Sequence, residues 1–363
     1  MFGRPPIVFF LPVLLSLSAF TQTTHQVAPL PSDPLELATG PTLLADTAER
    51  RALILGLLEQ ARQNQSELYA AGSPPVTFKV SFTASGQSSY SGSGEMEETR
   101  FSRDLWRWSA RLGDYSQMRI FQDGVPYDEK TPGPIPLRIQ MVRGAFLWPM
   151  FRVRPGARIR MATAKWNGIE VMCGLLSGDE ETSTGQGRRW EEREYCVDPK
   201  AGLLRIYSEA PGIYVTYDYN DALPFHGRTM ARNISVIEEG NVVLEIRVDS
   251  IQDAGTPDPR LFTPTKEMLA RGPGIVLRPP QRLEEAAPAP PGYAGVVQPV
   301  IIHAAINHDG KVVEAEPLQS SDLNLANAAM TVVKHGVYPR YEGIGGAPVQ
   351  AEAFIQVSFG GGR

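Results

Sequence analysis

The residues of this sequence with the greatest capacity for metal or acid–base chemistry are its histidines and cysteines. They are His25, His226, His303, His308, His335, Cys173 and Cys196. No two histidines stand four residues apart and no Cys-x-x-Cys motif occurs, so the spacing predicts no metal site. His303 lies in an alternating stretch typical of a β-strand, where we expect a surface imidazole.

Motifs for phosphate binding and covalent catalysis are also missing from the sequence. The glycines at 91–94 and 272–274 lack the Lys-Ser/Thr of a phosphate loop, and no Gly-x-Ser-x-Gly elbow occurs. Acidic clusters at 95–98 and 179–181 could supply paired carboxylates, but such runs more often line solvated turns. We therefore expect no catalytic residue, no cofactor and no enzymatic activity. One alternative stays open, which is a hydrolase whose active-site residues are far apart in the sequence and meet only in the folded protein.

Net charge and the length of the apolar stretches argue against two further classes of protein. The chain has 363 residues, enough for two or three domains, and 42% of them are apolar, so a buried core is feasible. Its 35 basic and 40 acidic residues give a net charge of −5, which argues against a nucleic-acid partner. No stretch reaches 18 clean apolar residues, so a polytopic membrane protein is excluded.

Residues 1–19 are typical of a secretory signal peptide. One positive charge, Arg4, precedes an apolar run from Ile7 to Phe20, and Ala19 is a suitable residue before a cleavage site. As a helix this run spans about 21 Å, short of the roughly 30 Å hydrocarbon core, which favours cleavage over an uncleaved anchor. We therefore expect export, with residues 20–45 as a leader.

Export changes the expectation for the two cysteines, because cysteines of exported proteins usually pair. Cys173 and Cys196 each end a strand-like stretch, and the residues between them, 177–187, have the composition of a loop. Two strands joined by such a loop place cross-strand residues within disulfide reach. We predict a Cys173–Cys196 disulfide, with two unpaired buried thiols as the alternative.

Residues 46–265 combine one helix with many short strands. Asp46 and Glu49 have capping-box spacing, and apolar residues then recur at helical intervals as far as Ala61. From Val76 to Asp253 the pattern changes to short alternating runs separated by turns, which indicates antiparallel sheet. The predicted fold class is therefore α+β, a helix followed by a large antiparallel open barrel.

This region resembles the LolA-like family of lipoprotein carriers, in which a half-barrel encloses a helix. The resemblance rests on a helix followed by a strand starting at Phe78, on the Trp106-Arg107-Trp108 hairpin, and on the segments 198–202 and 261–264. It implies an apolar cavity for acyl chains, with Trp106 and Trp108 as candidate lining residues. Ordinary core packing of both tryptophans is the alternative.

Residues 266–293 are predicted to be a linker, because nine prolines fall between positions 256 and 292. After it, residues 294–363 have the predicted order β-β-α-β. Ser321 or Asp322 can cap the helix and Gly336 can end it. This small domain has a complete set of alternating strands, so we expect it to fold alone.

The small domain resembles the C-terminal domain of TonB-type energy transducers. The resemblance rests on the strand 300–306, the turn 309–312, an alanine-rich helix and Tyr338-Pro339. Binding by β-augmentation along the last strand would recruit a periplasmic or outer-membrane protein partner. The candidate edge residues are Val349, Ala351, Ala353, Ile355 and Val357.

Together these resemblances predict an exported bacterial protein of the periplasm or cell envelope. In the first hypothesis it binds a protein partner through the C-terminal domain and is linked to envelope transport. In the alternative it carries a lipid or a lipoprotein acyl chain in the LolA-like cavity. An apolar cavity in the structure favours the carrier, and an unpaired strand at 349–359 favours the partner-binding protein.

Overall fold

The computed structural model describes residues 42–65, 73–86, 90–102, 104–131, 133–147, 149–178, 188–256, 258–293, 299–320, 322–343 and 346–360. The predicted signal peptide and most of the predicted leader lie outside them. The described helices are α1 (Ala48–Gln65), α2 (Leu137–Leu147), α3 (Lys266–Arg271) and α4 (Leu323–His335). None of these four has the length and apolarity that a membrane-spanning helix needs.

The described strands form one large sheet, one hairpin and one small sheet. The large sheet has 13 strands in the order β1-β7-β8-β9-β10-β11-β14-β15-β2-β3-β4-β5-β6, the hairpin joins β12 to β13, and the small sheet has the order β16-β19-β17-β18. The strands are β1 (Leu43–Leu44), β2 (Val76–Ala84), β3 (Gly92–Arg100), β4 (Leu105–Leu112), β5 (Tyr115–Gln122), β6 (Val125–Asp128), β7 (Arg158–Trp166), β8 (Ile169–Ser177), β9 (Arg193–Asp198), β10 (Leu203–Ser208), β11 (Ile213–Asp218), β12 (Leu223–Phe225), β13 (Arg228–Met230), β14 (Asn233–Glu238), β15 (Asn241–Asp253), β16 (Val276–Pro288), β17 (Val300–Ile306), β18 (Val312–Gln319) and β19 (Val349–Gly360). All pairings within the large sheet are antiparallel, as the alternating runs predict.

Helices α1 and α2 both pack into the main hydrophobic core. α1 buries the predicted face, and it contacts β9, β10 and β13. α2 was not predicted, because a helix that is buried on almost every side shows no periodic division into an apolar and a polar face. Every residue of α2 except Gly144 is buried. Its N-terminus is bound by the small sheet, since the Glu314 carboxylate of β18 accepts a hydrogen bond from the Leu137 backbone N–H.

The predicted disulfide is present. β8 and β9 are neighbours, and Cys173 lies directly opposite Cys196, with the two sulfurs bonded across a sequence separation of 23 residues. Both cysteines belong to a small hydrophobic cluster separate from the main core. The Glu194 carboxylate lies near the two sulfurs, but a disulfide leaves neither of them free to bind a metal ion.

Strand β16 occupies the segment that the sequence predicts to be a linker. It pairs in parallel with β19, and the register shifts at Arg278–Gln281, where Pro279 and Pro280 stand. Prolines are tolerated here because β16 is an edge strand and the register shift is a bulge. The structure therefore corrects the linker prediction for residues 266–293, since α3 and β16 fill most of it.

Strand β19 is not an edge strand, which corrects the predicted partner-binding edge. It pairs with β16 on one side and with β17 on the other. The five predicted edge residues, Val349, Ala351, Ala353, Ile355 and Val357, are all buried. The element order β-β-α-β is otherwise as predicted, and Asp322 caps α4 by accepting hydrogen bonds from the backbone of Asn324 and Leu325.

The large and small sheets share one core. Ile301, Leu318 and Phe354 of the small sheet belong to the same hydrophobic cluster as α2 and the buried face of the large sheet. A second cluster, between α4 and the small sheet, is separate. A fragment of residues 294–363 would lack β16 and would expose the shared face, so the structure does not support the expectation that it folds alone.

Candidate functional site

An apolar cavity of about 340 Å³ lies where α2, the large sheet and the small sheet meet. The apolar residues that line it are Met141, Ala145, Phe151, Ile213, Val215, Val236, Leu277, Pro279, Pro280 and Phe354. They come from α2, β11, β14, β16 and β19 and from the segment after α2. Phe151 is 38% exposed, so the cavity reaches solvent on the side where Phe151 lies.

Small residues and a bulge leave this space unfilled. Gly144 and Ala145 of α2 face the cavity, and a Cβ placed on Gly144 would meet no atom within 4 Å. On the opposite wall Pro279 and Pro280 form the bulge at which β16 departs from regular pairing with β19. The cavity therefore exists because Gly144 and Ala145 of α2 carry no large side chain and because the neighbouring strand bends.

Three charged side chains in the cavity wall have an opposite charge beside them. The Arg143 guanidinium donates to Glu98 Oε2 at 3.1 and 3.2 Å. The Glu209 carboxylate accepts from Arg193 Nε at 2.7 Å. The Glu352 carboxylate contacts His303 Nε2 at 2.8 Å. The fourth charged residue, Arg278, is exposed and stacks on Tyr341, with its guanidinium carbon 4.2 Å from the ring centroid.

A buried ionic cluster beside the cavity joins the two sheets. His303 of β17 is fully buried and lies between two carboxylates, with Nδ1 2.8 Å from Glu238 of β14 and Nε2 2.8 Å from Glu352 of β19. Arg138 of α2 donates to Glu238 at 3.0 Å and to Glu316 of β18 at 2.6 Å. The cluster therefore fixes α2, the large sheet and the small sheet relative to one another.

Electrostatics favour the charged forms of His303 and Glu238 in this cluster. Burial disfavours the imidazolium, but the hydrogen bonds and charges of Glu238 and Glu352 outweigh it and raise the pKa of His303 to about 9. Burial also opposes ionisation of Glu238, yet its hydrogen bond to His303 and the Arg138 charge hold its pKa below the usual value. Burial raises the pKa of Glu316. At neutral pH His303 is therefore a cation, and its charge lies between the side chains of Glu238 and Glu352.

The structure decides between the two interpretations of Trp106 and Trp108 and corrects the expectation for His303. Trp106 and Trp108 are buried in the main core and do not line the cavity, so the core-packing alternative holds. Trp106 stacks on Phe121 with ring centroids 4.7 Å apart. The guanidinium carbon of Arg143 lies 4.6 Å from the centroid of the same Trp106 ring. His303, expected at the surface, is buried because both faces of β17 are covered.

Sequence reasoning missed the residues that form the cavity and its ionic cluster. One available signal was the lone charge in the run Ala351-Glu352-Ala353-Phe354, since a carboxylate within an apolar strand needs a buried partner. His303 in the equally apolar β17 was the matching signal. These two residues are hydrogen-bonded to each other in the structure.

Comparison with known proteins gives similarity in structure only. No family model matches the sequence, and no curated protein matches it. The chain is similar to the crystal structure of a LolA superfamily protein from Nitrosomonas europaea, with 10% identity, a TM-score of 0.38, and coverage of 57% of this chain and 96% of that one. It is also similar to a "putative outer membrane lipoprotein-sorting protein domain" from Vibrio parahaemolyticus, with 7% identity, a TM-score of 0.34, and coverage of 60% and 97%.

These similarities assign neither a family nor an activity to the chain, because both TM-scores are below 0.5. The mostly antiparallel sheet with a few helices is consistent with the LolA-like open barrel expected from the sequence. The expected likeness of residues 294–363 to TonB C-terminal domains gains no support from either comparison.

Proposed function

We propose that this protein is an exported, non-enzymatic carrier that binds one acyl chain in the cavity between its two sheets. The observation that carries the proposal is the cavity itself, which is apolar on most of its wall and has a volume of about 340 Å³. Ligand sites typically have volumes of roughly 300–1,000 Å³. A cavity near the lower end of that range suits one hydrocarbon chain better than two.

The expected affinity suits reversible carriage. Each methylene moved from water into an apolar site contributes about 0.8 kcal/mol, so a chain of about ten methylenes contributes on the order of 8 kcal/mol. That free energy corresponds to a Kd of about 1 µM, and the ordering costs of association weaken it further. A ligand held this way dissociates without a covalent step, as a carrier requires.

Export is part of the same proposal. The Cys173–Cys196 disulfide is typical of proteins that fold in an oxidising compartment, and the apolar N-terminal run is typical of a signal peptide. The alternative hypothesis, partner binding along the edge of the last strand, has lost its predicted mechanism because β19 is paired on both sides. We therefore prefer the carrier.

Titration with a fluorescent fatty-acid analogue tests the proposal. We expect saturable binding of one probe per chain, with a blue-shifted emission because the probe enters an apolar environment. Unlabelled laurate should displace the probe. Binding that never saturates, or the absence of any binding, would contradict a defined cavity site.

A further inference from the structure

Arg278 differs from the other charged residues of the cavity wall because no described residue of opposite charge contacts it. Arg143, Glu209 and Glu352 each contact a partner of opposite charge. Arg278 stacks on the Tyr341 ring, and among the described residues no acceptor contacts its guanidinium. A guanidinium stacked on a ring keeps its N–H groups available for an acceptor that lies in the plane of the guanidinium.

The position of Arg278 is that of a head-group site. It lines the cavity and is exposed, so it stands where the apolar space meets solvent. It immediately precedes the Pro279-Pro280 bulge, and prolines have no backbone N–H to compete for an incoming acceptor. An amphiphile with its chain in the cavity would place its polar end near this guanidinium.

The charge of the surroundings favours an anion. The Glu98 carboxylate contacts both Arg100 and Arg143, and the Glu209 carboxylate contacts both Arg193 and Arg282. These two carboxylates therefore leave no negative charge in excess, and among the described residues no carboxylate contacts Arg278. The whole chain carries a net charge of −5, so this positive charge at the cavity is not a consequence of overall composition. A planar guanidinium binds carboxylate and phosphate oxygens through two parallel hydrogen bonds.

We propose that the ligand is a single-chain amphiphile with an anionic head, a carboxylate or a phosphate, and that Arg278 binds this head at the mouth of the cavity. The inference rests on the proposed carrier function and names its ligand class. A fatty acid and a monoalkyl phosphate share the required chemistry, and the experiment distinguishes them.

The test compares four ligands with the same twelve-carbon chain: laurate, dodecyl phosphate, dodecanol and dodecylammonium. Each displaces the fluorescent probe from the full-length protein below its micellar concentration. The variants are Arg278→Gln, Arg278→Lys and the control Arg111→Gln, which removes an exposed arginine outside the cavity wall. Circular dichroism and the melting temperature confirm that each variant is folded.

We expect Arg278→Gln to weaken laurate or dodecyl phosphate about tenfold, because a charge-assisted hydrogen bond is lost, while dodecanol changes less than about twofold. Arg278→Lys should keep most of the preference for the anion, and Arg111→Gln should change nothing. The anion with the larger loss identifies the head group.

Two results would overturn the inference, and they are distinguishable. If dodecanol binds the wild-type protein but Arg278→Gln leaves the anions unaffected, or weakens dodecanol equally, then Arg278 is only part of the wall. If none of the four ligands binds the wild-type protein, the carrier function fails and the head-group site with it.

Discussion

Filling the cavity from Gly144 gives the most discriminating variant. Gly144 lies in the second half of α2, lines the cavity, and has no atom within 4 Å of the position that a Cβ would take. A leucine at this position would extend into the space that we assign to the acyl chain. A Cβ at this position displaces no neighbouring atom, and the rest of the leucine side chain would occupy cavity space.

The two expected effects have opposite signs. Replacing a helical glycine by leucine stabilises the fold by about 0.8 kcal/mol through helix propensity, which raises the Tm by about 2 °C for a chain of this size. Truncating one buried leucine in another protein left a cavity of about 150 Å³, so the reverse change should reduce this cavity from about 340 Å³ to roughly 190 Å³. That volume is below the usual size of a ligand site.

The assay is probe titration of Gly144→Leu beside the control Gly56→Leu. Gly56 also lies in a helix, α1, is exposed, and has no atom within 4 Å of a built Cβ. We expect both variants to melt at or above the wild-type temperature and only Gly144→Leu to bind the probe at least tenfold more weakly. Unchanged binding by a folded Gly144→Leu variant would refute the assignment of the ligand to this cavity.

Three further predictions concern the fold. Folded His303 has a pKa of about 9 and an unfolded histidine has one of about 6.5, so between these pH values the folded state holds a proton that the unfolded chain has released. Urea denaturation should therefore show the free energy of unfolding falling by on the order of 3 kcal/mol as the pH rises from 6.5 to 9. The His303→Gln variant should lose this pH dependence and should be less stable than the wild-type protein at pH 7. The Cys173→Ala/Cys196→Ala double variant should lose about 3 kcal/mol in the same assay, and an unchanged denaturation midpoint would argue against the bridge. Gln356→Pro should expose the small sheet to limited proteolysis, because it removes a donor from a strand paired on both sides, and full protection would contradict this pairing.

The local sequence pattern was sufficient to predict an element where that element is half-buried and packs against elements close to it in sequence. The helix α1, the antiparallel strands and the Cys173–Cys196 bridge all follow from periodicity and from short connections. α4 followed in the same way, because Asp322 and Gly336 mark its ends. In these elements the partner of each residue lies close by along the chain.

The local sequence pattern was insufficient to predict an element whose packing partner lies far away along the chain. β16 pairs in parallel with β19 across more than sixty residues of chain, and its prolines indicate an extended linker when its partner is unknown. α2 is buried between two sheets and so shows no polar face. Each miss has the same physical cause, which is burial decided by tertiary contacts.

The candidate site was the least predictable part for the same reason. Its wall combines residues from α2, the large sheet, β16 and β19, and no segment contributes a recognisable motif. Trp106 and Trp108 are large aromatic residues, but such residues mostly fill cores, as they do here. The absence of a large side chain at Gly144 matters more for the cavity than any aromatic residue.

Photo-cross-linking with a diazirine-bearing fatty acid tests the central claim most directly, because it reports where the chain of the ligand lies. The protein is saturated with the probe, irradiated and digested, and labelled peptides are mapped by mass spectrometry. We expect labels on the cavity wall, at Met141, Val236 and Leu277, and their loss in Gly144→Leu. Labels confined to exposed apolar residues such as Leu269 and Leu323 would contradict the account.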